Sequence, residues 1–186
     1  MKSQIIDTAK SIISDTGIDG ISMRNIAAAL NVSATALYRH YKNKDAIIIQ
    51  ICKDGLENMM RSLTQSLLKD SPKERLNATL NAYFNFGMEN FSEYQLMYGE
   101  ILTSSTDIQN YTEKYRLPVI NFMQDRIKDA AVSNSFKFEA YEQVSFIWAF
   151  LHGMILLRQS NQINLSDEVF DQMVKNRIRD WVEMLN

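Results

Sequence analysis

A single cysteine, Cys52, in 186 residues excludes an internal disulfide framework and fits a reducing compartment. Only two histidines, His40 and His152, accompany it, at spacings that suit no metal site. Gly-rich phosphate loops and nucleophile elbows are absent from the sequence. The longest nearly apolar run, Val144 to Leu157, is too short to span a bilayer and is broken by Ser145, His152 and Gly153. The opening stretch MKSQIIDTAKSIISDTG lacks the unbroken apolar segment of a secretory signal. These shortages predict a cytoplasmic protein that is not an enzyme, needs no cofactor or metal and has no membrane partner. The enzymatic alternative would be a Cys52–His40 thiol–imidazole pair, but the setting IIIQIC suits a buried, inert thiol.

Breakers are scarce as well. Two prolines, Pro72 and Pro118, and six glycines leave room for long helices, and 46% hydrophobic residues supply a substantial core. Apolar residues recur at helical rather than alternating spacing, which predicts an all-α fold. Ile5, Ile6, Ala9, Ile12 and Ile13 mark a first helix that Gly17 ends. Ser22 caps a short second helix through Leu30, and Asn31 suits the left-handed turn that follows. Ser33 caps a third helix from Ala34 to about Tyr41, and Asn43 a fourth. Longer helices are expected at about 44–69, 73–90, 92–103, 106–132, 136–162 and 166–185. Ser71 and Pro72 restart the chain after 69, and Pro118 should kink or split its helix.

The charge is uneven. Formal net charge is −2, yet residues 1–46 hold six Lys/Arg against four Asp/Glu, and no acid lies between Asp19 and Asp45. Tyr38, Arg39, His40, Tyr41, Lys42 and Lys44 crowd into seven positions. A basic module on an acidic body suggests a polyanion at one end only; a merely solvated face is the alternative.

Two short helices joined by a tight turn have the layout of a helix-turn-helix, whose second helix enters the DNA major groove. Val32, Leu37 and Tyr41 should face inward against Ile21, Ile26 and Leu30. That leaves Ala34, Thr35 and Tyr38 outward, with Arg39 at the edge and His40 and Lys44 at the rim. Residues 5–47, IIDTAKSIISDTGIDGISMRNIAAALNVS followed by LYRHYKNKDAI, resemble the DNA-binding domain of the TetR family of transcriptional regulators. Asn31 stands where that family often has glycine. The resemblance implies that Tyr38, His40 and Lys44 hold the DNA backbone, and that Ser22 contacts phosphate as well as capping. It places Arg24, Ala34, Thr35 and Ala36 at or near base edges, beside Ser33. A guanidinium at Arg24 or Arg39 could read a guanine. Structural roles stay open beside these: packing for Tyr38, capping alone for Ser22 and Ser33, solvation for the arginines.

The remaining residues, 47–186, would form a helical ligand-binding and dimerisation domain behind a DNA-binding domain at 1–46. Trp148, Leu151, His152, Gly153 and Ile155 on one helix, and Phe170, Val174, Ile178 and Trp181 on the next, could build a four-helix interface between two subunits. The same stripes could instead be monomer core. IWAFLHGMILL, with Trp148 before His152-Gly153, resembles the WHG motif of one TetR branch, as does NFSEYQLMYGEIL at 90–102. Aromatic and methionine side chains at Phe84, Met88, Met97, Tyr98, Tyr115 and Phe122 are candidates for an effector pocket, with ordinary core as the alternative.

The function expected is a sequence-specific regulator, a ligand-responsive repressor that grips a near-palindromic operator as a homodimer and releases it for an apolar or aromatic effector. The rival is a helical interaction module whose basic patch binds acidic protein or membrane without sequence preference.

Overall fold

The computed structural model describes residues 1–98, 106–131 and 139–185. The fold is all-α: among the described residues there are nine α-helices and no strand. They run α1 Lys2–Thr16, α2 Met23–Ala29, α3 Ala34–Tyr38, α4 Lys44–Thr64, α5 Pro72–Glu89, α6 Phe91–Tyr98, α7 Thr106–Ala130, α8 Glu139–Gln159 and α9 Asp167–Met184. Short 3-10 turns at Ile18–Gly20 and Gln65–Leu68 follow α1 and α4.

Helix ends follow local chemistry. Gly17, at φ 72°, stops α1 and gives its N–H to the Ile13 carbonyl at 2.9 Å. Ser71 and Glu74 form a reciprocal capping box at the start of α5, with Pro72 in the first helical position. The Ser71 backbone N–H, and then the Ser71 hydroxyl, bond the Glu74 carboxylate and hold it below its usual range. Ser166 caps α9 by accepting from the Val169 N–H at 3.3 Å. Asn161, at φ 56°, closes α8 with bonds from Asn161 N to Arg158 O and from Gln162 N to Leu157 O.

Several expected helix bounds are corrected. The third helix ends at Tyr38, not Tyr41, because the chain turns at Arg39–His40 toward Asn43. The long fourth helix becomes 3-10 from Gln65, where the Ser66 hydroxyl bonds the Leu63 carbonyl at 2.6 Å and the Thr79 hydroxyl at 2.7 Å. Of the kink or split expected at Pro118, the split does not occur: α7 continues through it. Pro118 and Lys114 both lie on an exposed face, so solvent can take the carbonyl that proline cannot bond. The expected helical stretches at 99–103 and 136–138, and residue 132, lie outside the described residues, and α8 ends at Gln159 rather than 162.

The chain packs as two compact units. The first takes residues 1–57 and 92–116; the second takes 58–91 and 117–186. Helix α7 changes unit at Leu117, beside Pro118. The first core is built on Ile5, Ile6, Ala9, Ile21, Ile26, Leu37, Ile47, Ile51, Cys52, Leu96 and Met97. In the second, α5 packs against α8 and α9, burying Leu76, Leu80, Tyr83, Phe84, Leu151, Ile155, Phe170, Val174 and Ile178.

Candidate nucleic-acid interface

Helices α2 and α3 are joined by a turn that the sequence specifies residue by residue. Asn31 takes φ 54°, and the Asn31 and Val32 N–H groups bond back to Ala28 O and Ala27 O at 3.1 and 3.0 Å. This is a Schellman closure built on asparagine instead of glycine. Ser22 accepts from the Asn25 N–H at 3.0 Å, Ser33 from Ala36 at 3.3 Å, and the Asn43 side chain from Ala46 at 2.9 Å. Each hydroxyl or amide thereby satisfies one orphan donor at a helix start. Asn25 contributes a further constraint: its amide donates to the Gly20 carbonyl at 2.7 Å, tying α2 to the turn after α1.

Leu37 is fully buried against a core that contains Ile21 and Ile26, while Val32, Leu30 and Tyr41 are only half-buried. Anchoring α3 through Leu37 turns Ala34, Thr35 and Tyr38 outward, and Tyr38 is 55% exposed. Arg24, Ser33, Arg39 and Lys44 are exposed; Ser22, Ala36 and His40 are half-buried. Burial, and then the Asp54 carboxylate, push the Tyr41 phenol above its usual range, so it stays a neutral hydrogen-bonding group.

Among the described residues Arg24, Arg39 and Lys44 enter no ion pair. Elsewhere cations are commonly matched: Lys53 with Glu57, Lys73 with Glu183, Arg126 with Asp129, Arg158 with Asp167 and Lys175 with Asp171. Exposed cations with no such partner, at the end of a short outward helix and on the helices before and after it, attract phosphate.

Family models match both parts of the chain. Residues 5–51 match the model described as bacterial regulatory proteins, tetR family, and residues 76–180 match the tetracyclin repressor-like C-terminal domain. The chain belongs to the TetR family. Among TetR-family relatives, it is 28% identical over 122 residues to the biofilm operon icaADBC HTH-type negative transcriptional regulator IcaR of Staphylococcus epidermidis, covering 65% of this chain and 63% of that protein. It is 22% identical over 193 residues to the uncharacterized HTH-type transcriptional regulator YerO of Bacillus subtilis, covering 100% of this chain and 65% of that protein. The chain thus spans just under two thirds of the length of these curated relatives. The TetR-family fold is shared with a regulatory protein from Rhodococcus RHA1 at TM-score 0.81 and 18% identity, covering 100% and 96% of the two chains. It is shared also with AibR, solved with isovaleryl coenzyme A and operator DNA, at TM-score 0.75 and 20% identity, covering 95% and 96%.

The other expected site residues are distributed over both units. Of the effector candidates, Met97 and Tyr98 lie in the first unit with Tyr115, whose side chain is outside the described residues, and Phe84, Met88 and Phe122 in the second. Phe84 and Met97 are buried, Phe84 lying 6.0 Å from the Phe170 ring; Met88, Tyr98 and Phe122 are half-buried. Two open depressions of about 570 Å³ each occur in the second unit, and these residues line neither. One depression lies by Lys69, Lys73, Asn77 and Arg179, the other along α9 by Val169, Met173 and Arg177.

Of the residues expected at a dimer interface, Leu151, Ile155, Phe170, Val174, Ile178 and Trp181 point into the second unit's own core. They are monomer core in this chain, because α5 already covers that face of α8 and α9. Trp148, His152 and Gly153 remain half-exposed, and a Cβ added at Gly153 would meet nothing within 4 Å. The large hydrophobic residues these helices present outward are Tyr141, Phe146, Leu156, Leu157, Val169 and Met184. Sequence reasoning missed this register because α8 is apolar nearly all round.

Cys52 is not a nucleophile paired with His40. Its thiol is fully buried and donates to the Leu96 carbonyl at 3.6 Å, and burial pushes its pKa up to about 12. Also missed were the Lys10–Glu93 ion pair and the bond from Trp148 Nε1 to the Tyr83 hydroxyl at 2.6 Å. Partners 83 and 65 residues apart leave no local signal in a sequence.

Proposed function

We propose that the chain is a sequence-specific DNA-binding repressor that acts as a homodimer and releases its operator on binding an effector. What supports this reading is an outward α3 anchored by Leu37, with Arg24, Arg39 and Lys44 exposed at its end or on the neighbouring helices and in no ion pair among the described residues. Tyr38, His40 and Lys44 then grip phosphates and set register, while Arg24, Thr35 and the small residues Ala34 and Ala36 approach base edges. Ser22 and Ser33 present hydroxyls at the starts of the two helices. Residues 1–46 act as the reading domain and 47–186 as the ligand and dimer domain.

Two such heads fit a near-palindromic operator only if a second copy is held at fixed spacing. The outward apolar residues of α8 and α9, with Trp148, His152 and open Gly153, supply a self-complementary face for that. The depression along α9 gives a facing helix a groove to enter. IcaR's description as a negative regulator supports repression, and the AibR complex supports joint control by a small molecule and DNA. An apolar or aromatic effector would bind better to the dimer with displaced heads. By linkage, DNA then weakens effector binding equally. Helix α4, which runs from one unit into the other, is the coupling element. Such a regulator works in the cytoplasm, with no membrane partner. Among the described residues no helix is long and apolar enough to cross a membrane.

Fluorescence anisotropy on duplexes tiling the protein's own upstream region tests the reading. Saturable, salt-steep binding to one duplex, lost in Tyr38→Phe/Lys44→Ala, is expected. Equal weak binding to all duplexes, unchanged in the variant, would favour the charged-patch interaction module instead.

A further inference from the structure

The first compact unit contains a segment that a helix-turn-helix does not require: α6 and the first part of α7, residues 92–116, pack with residues 1–57. Glu93, Leu96 and Met97 each hold α6 in that unit. The Glu93 carboxylate pairs with the Lys10 ammonium of α1, with only 12% of the Glu93 side chain and 29% of the Lys10 side chain exposed. One turn on, Met97 is fully buried over Gly55 of α4, where an added Cβ would lie 2.8 Å from the Met97 sulfur and 3.5 Å from the Glu93 Cβ. Beside it, the Cys52 thiol reaches the Leu96 carbonyl. Glu93 and Met97 therefore straddle a glycine on α4, and the far end of Glu93 takes hold of α1.

An ion pair withdrawn this far from water is costly to open, because each partner would be left with an uncompensated, partly desolvated charge. It favours one discrete arrangement of α6 against α1 over a sliding contact. Resting on the reading of the chain as a DNA-binding regulator, we propose that Glu93 is a positioning residue for the reading head. Through Lys10 it fixes α1, so that α6 carries the head directly and not only by way of α4. Loss of the pair leaves the head more orientations, and the fraction competent for DNA falls with it.

The sign of the effect separates this role from simple electrostatics. Glu93→Gln deletes a negative charge, which by field alone would strengthen binding to a polyanion. The positioning role predicts the opposite. The full-length chain, Glu93→Gln and the reversed pair Lys10→Glu/Glu93→Lys would be compared by hydrogen exchange over residues 2–16 and by anisotropy on the duplex the wild type selects. Expected for Glu93→Gln is exchange in α1 faster by about fivefold or more and DNA affinity lower by about three- to tenfold. The reversed pair should recover both to within about twofold, as a restored contact does and a generic packing defect does not. Gly55→Ala, which pushes Met97 off α4 without touching a charge, should shift both readouts the same way and serves if Glu93→Gln fails to fold. Unchanged α1 exchange, tighter DNA binding by Glu93→Gln, or no recovery in the reversed pair overturns the proposal. If the wild type selects no duplex, the repressor reading falls, and the α1 exchange of the variants alone decides whether α6 holds the head.

Discussion

The indole N–H of Trp148 on α8 donates to the hydroxyl of Tyr83 on α5 across 2.6 Å, joining a half-exposed ring to one fully buried. Tyr83→Phe keeps the ring and removes the acceptor. Losing one partner of an enclosed hydrogen bond costs about 1–2 kcal/mol. Urea unfolding should show the midpoint drop, and unchanged stability would mean that solvent replaces the hydroxyl at no cost.

Asn31 sustains its left-handed turn at φ 54° without glycine. Asn31→Gly should be neutral within a few tenths of a kcal/mol or slightly stabilising, whereas Asn31→Val should destabilise by about 1–2 kcal/mol. Circular-dichroism melts of both variants check the pair. Equal stability for Val and Gly would contradict the turn.

Lys44 is exposed at the start of α4 and enters no ion pair among the described residues. As a phosphate contact, its replacement by Ala should weaken all duplexes alike and flatten the salt dependence by about one counterion per half-site. An unaltered slope of log affinity against log salt would remove it from the interface.

The outward and inward faces of α8 and α9 make opposite predictions. Phe146 and Val169 are 63% and 54% exposed, so Phe146→Asp/Val169→Asp should yield a folded monomer by light scattering. Val174, at 0% exposure, cannot take an aspartate without leaving a buried charge, and Val174→Asp should unfold the second unit. A folded Phe146→Asp/Val169→Asp dimer would place the interface elsewhere.

Burial holds the His152 imidazole below its ordinary value of 6.5, so the folded chain binds this proton less readily than the unfolded chain does. Stability from this source is complete above about pH 6.5. It falls as pH drops below that value and levels off once the folded imidazole is itself charged. His152→Gln should remove that portion of the acid sensitivity in melts recorded between pH 5 and 8.

The helix-turn-helix was legible because every determinant is local. Ser22, Ser33 and Asn43 cap and Asn31 turns, each three residues from the group it bonds, and helical spacing alone puts Leu37 on the inner face. The division of labour in the body was not legible. Helical spacing shows that Phe170, Val174 and Ile178 share a face, but nothing within α9 says that α5 fills it before a second subunit can. Pro118 illustrates a different limit: its effect depends on whether solvent reaches the freed carbonyl, which is a property of the surroundings. Lys10 and Glu93 look, in sequence, like two more surface charges.

The thiol of Cys52 has a practical consequence. Burial leaves it no exposed surface and pushes its pKa up to about 12, so the native thiol should resist alkylating reagents. A cysteine introduced at exposed Thr35 would therefore be the sole reactive thiol in each chain. Spin labels attached there would report the separation of two α3 helices by electron–electron coupling, with the native thiol left in place as an unmarked passenger.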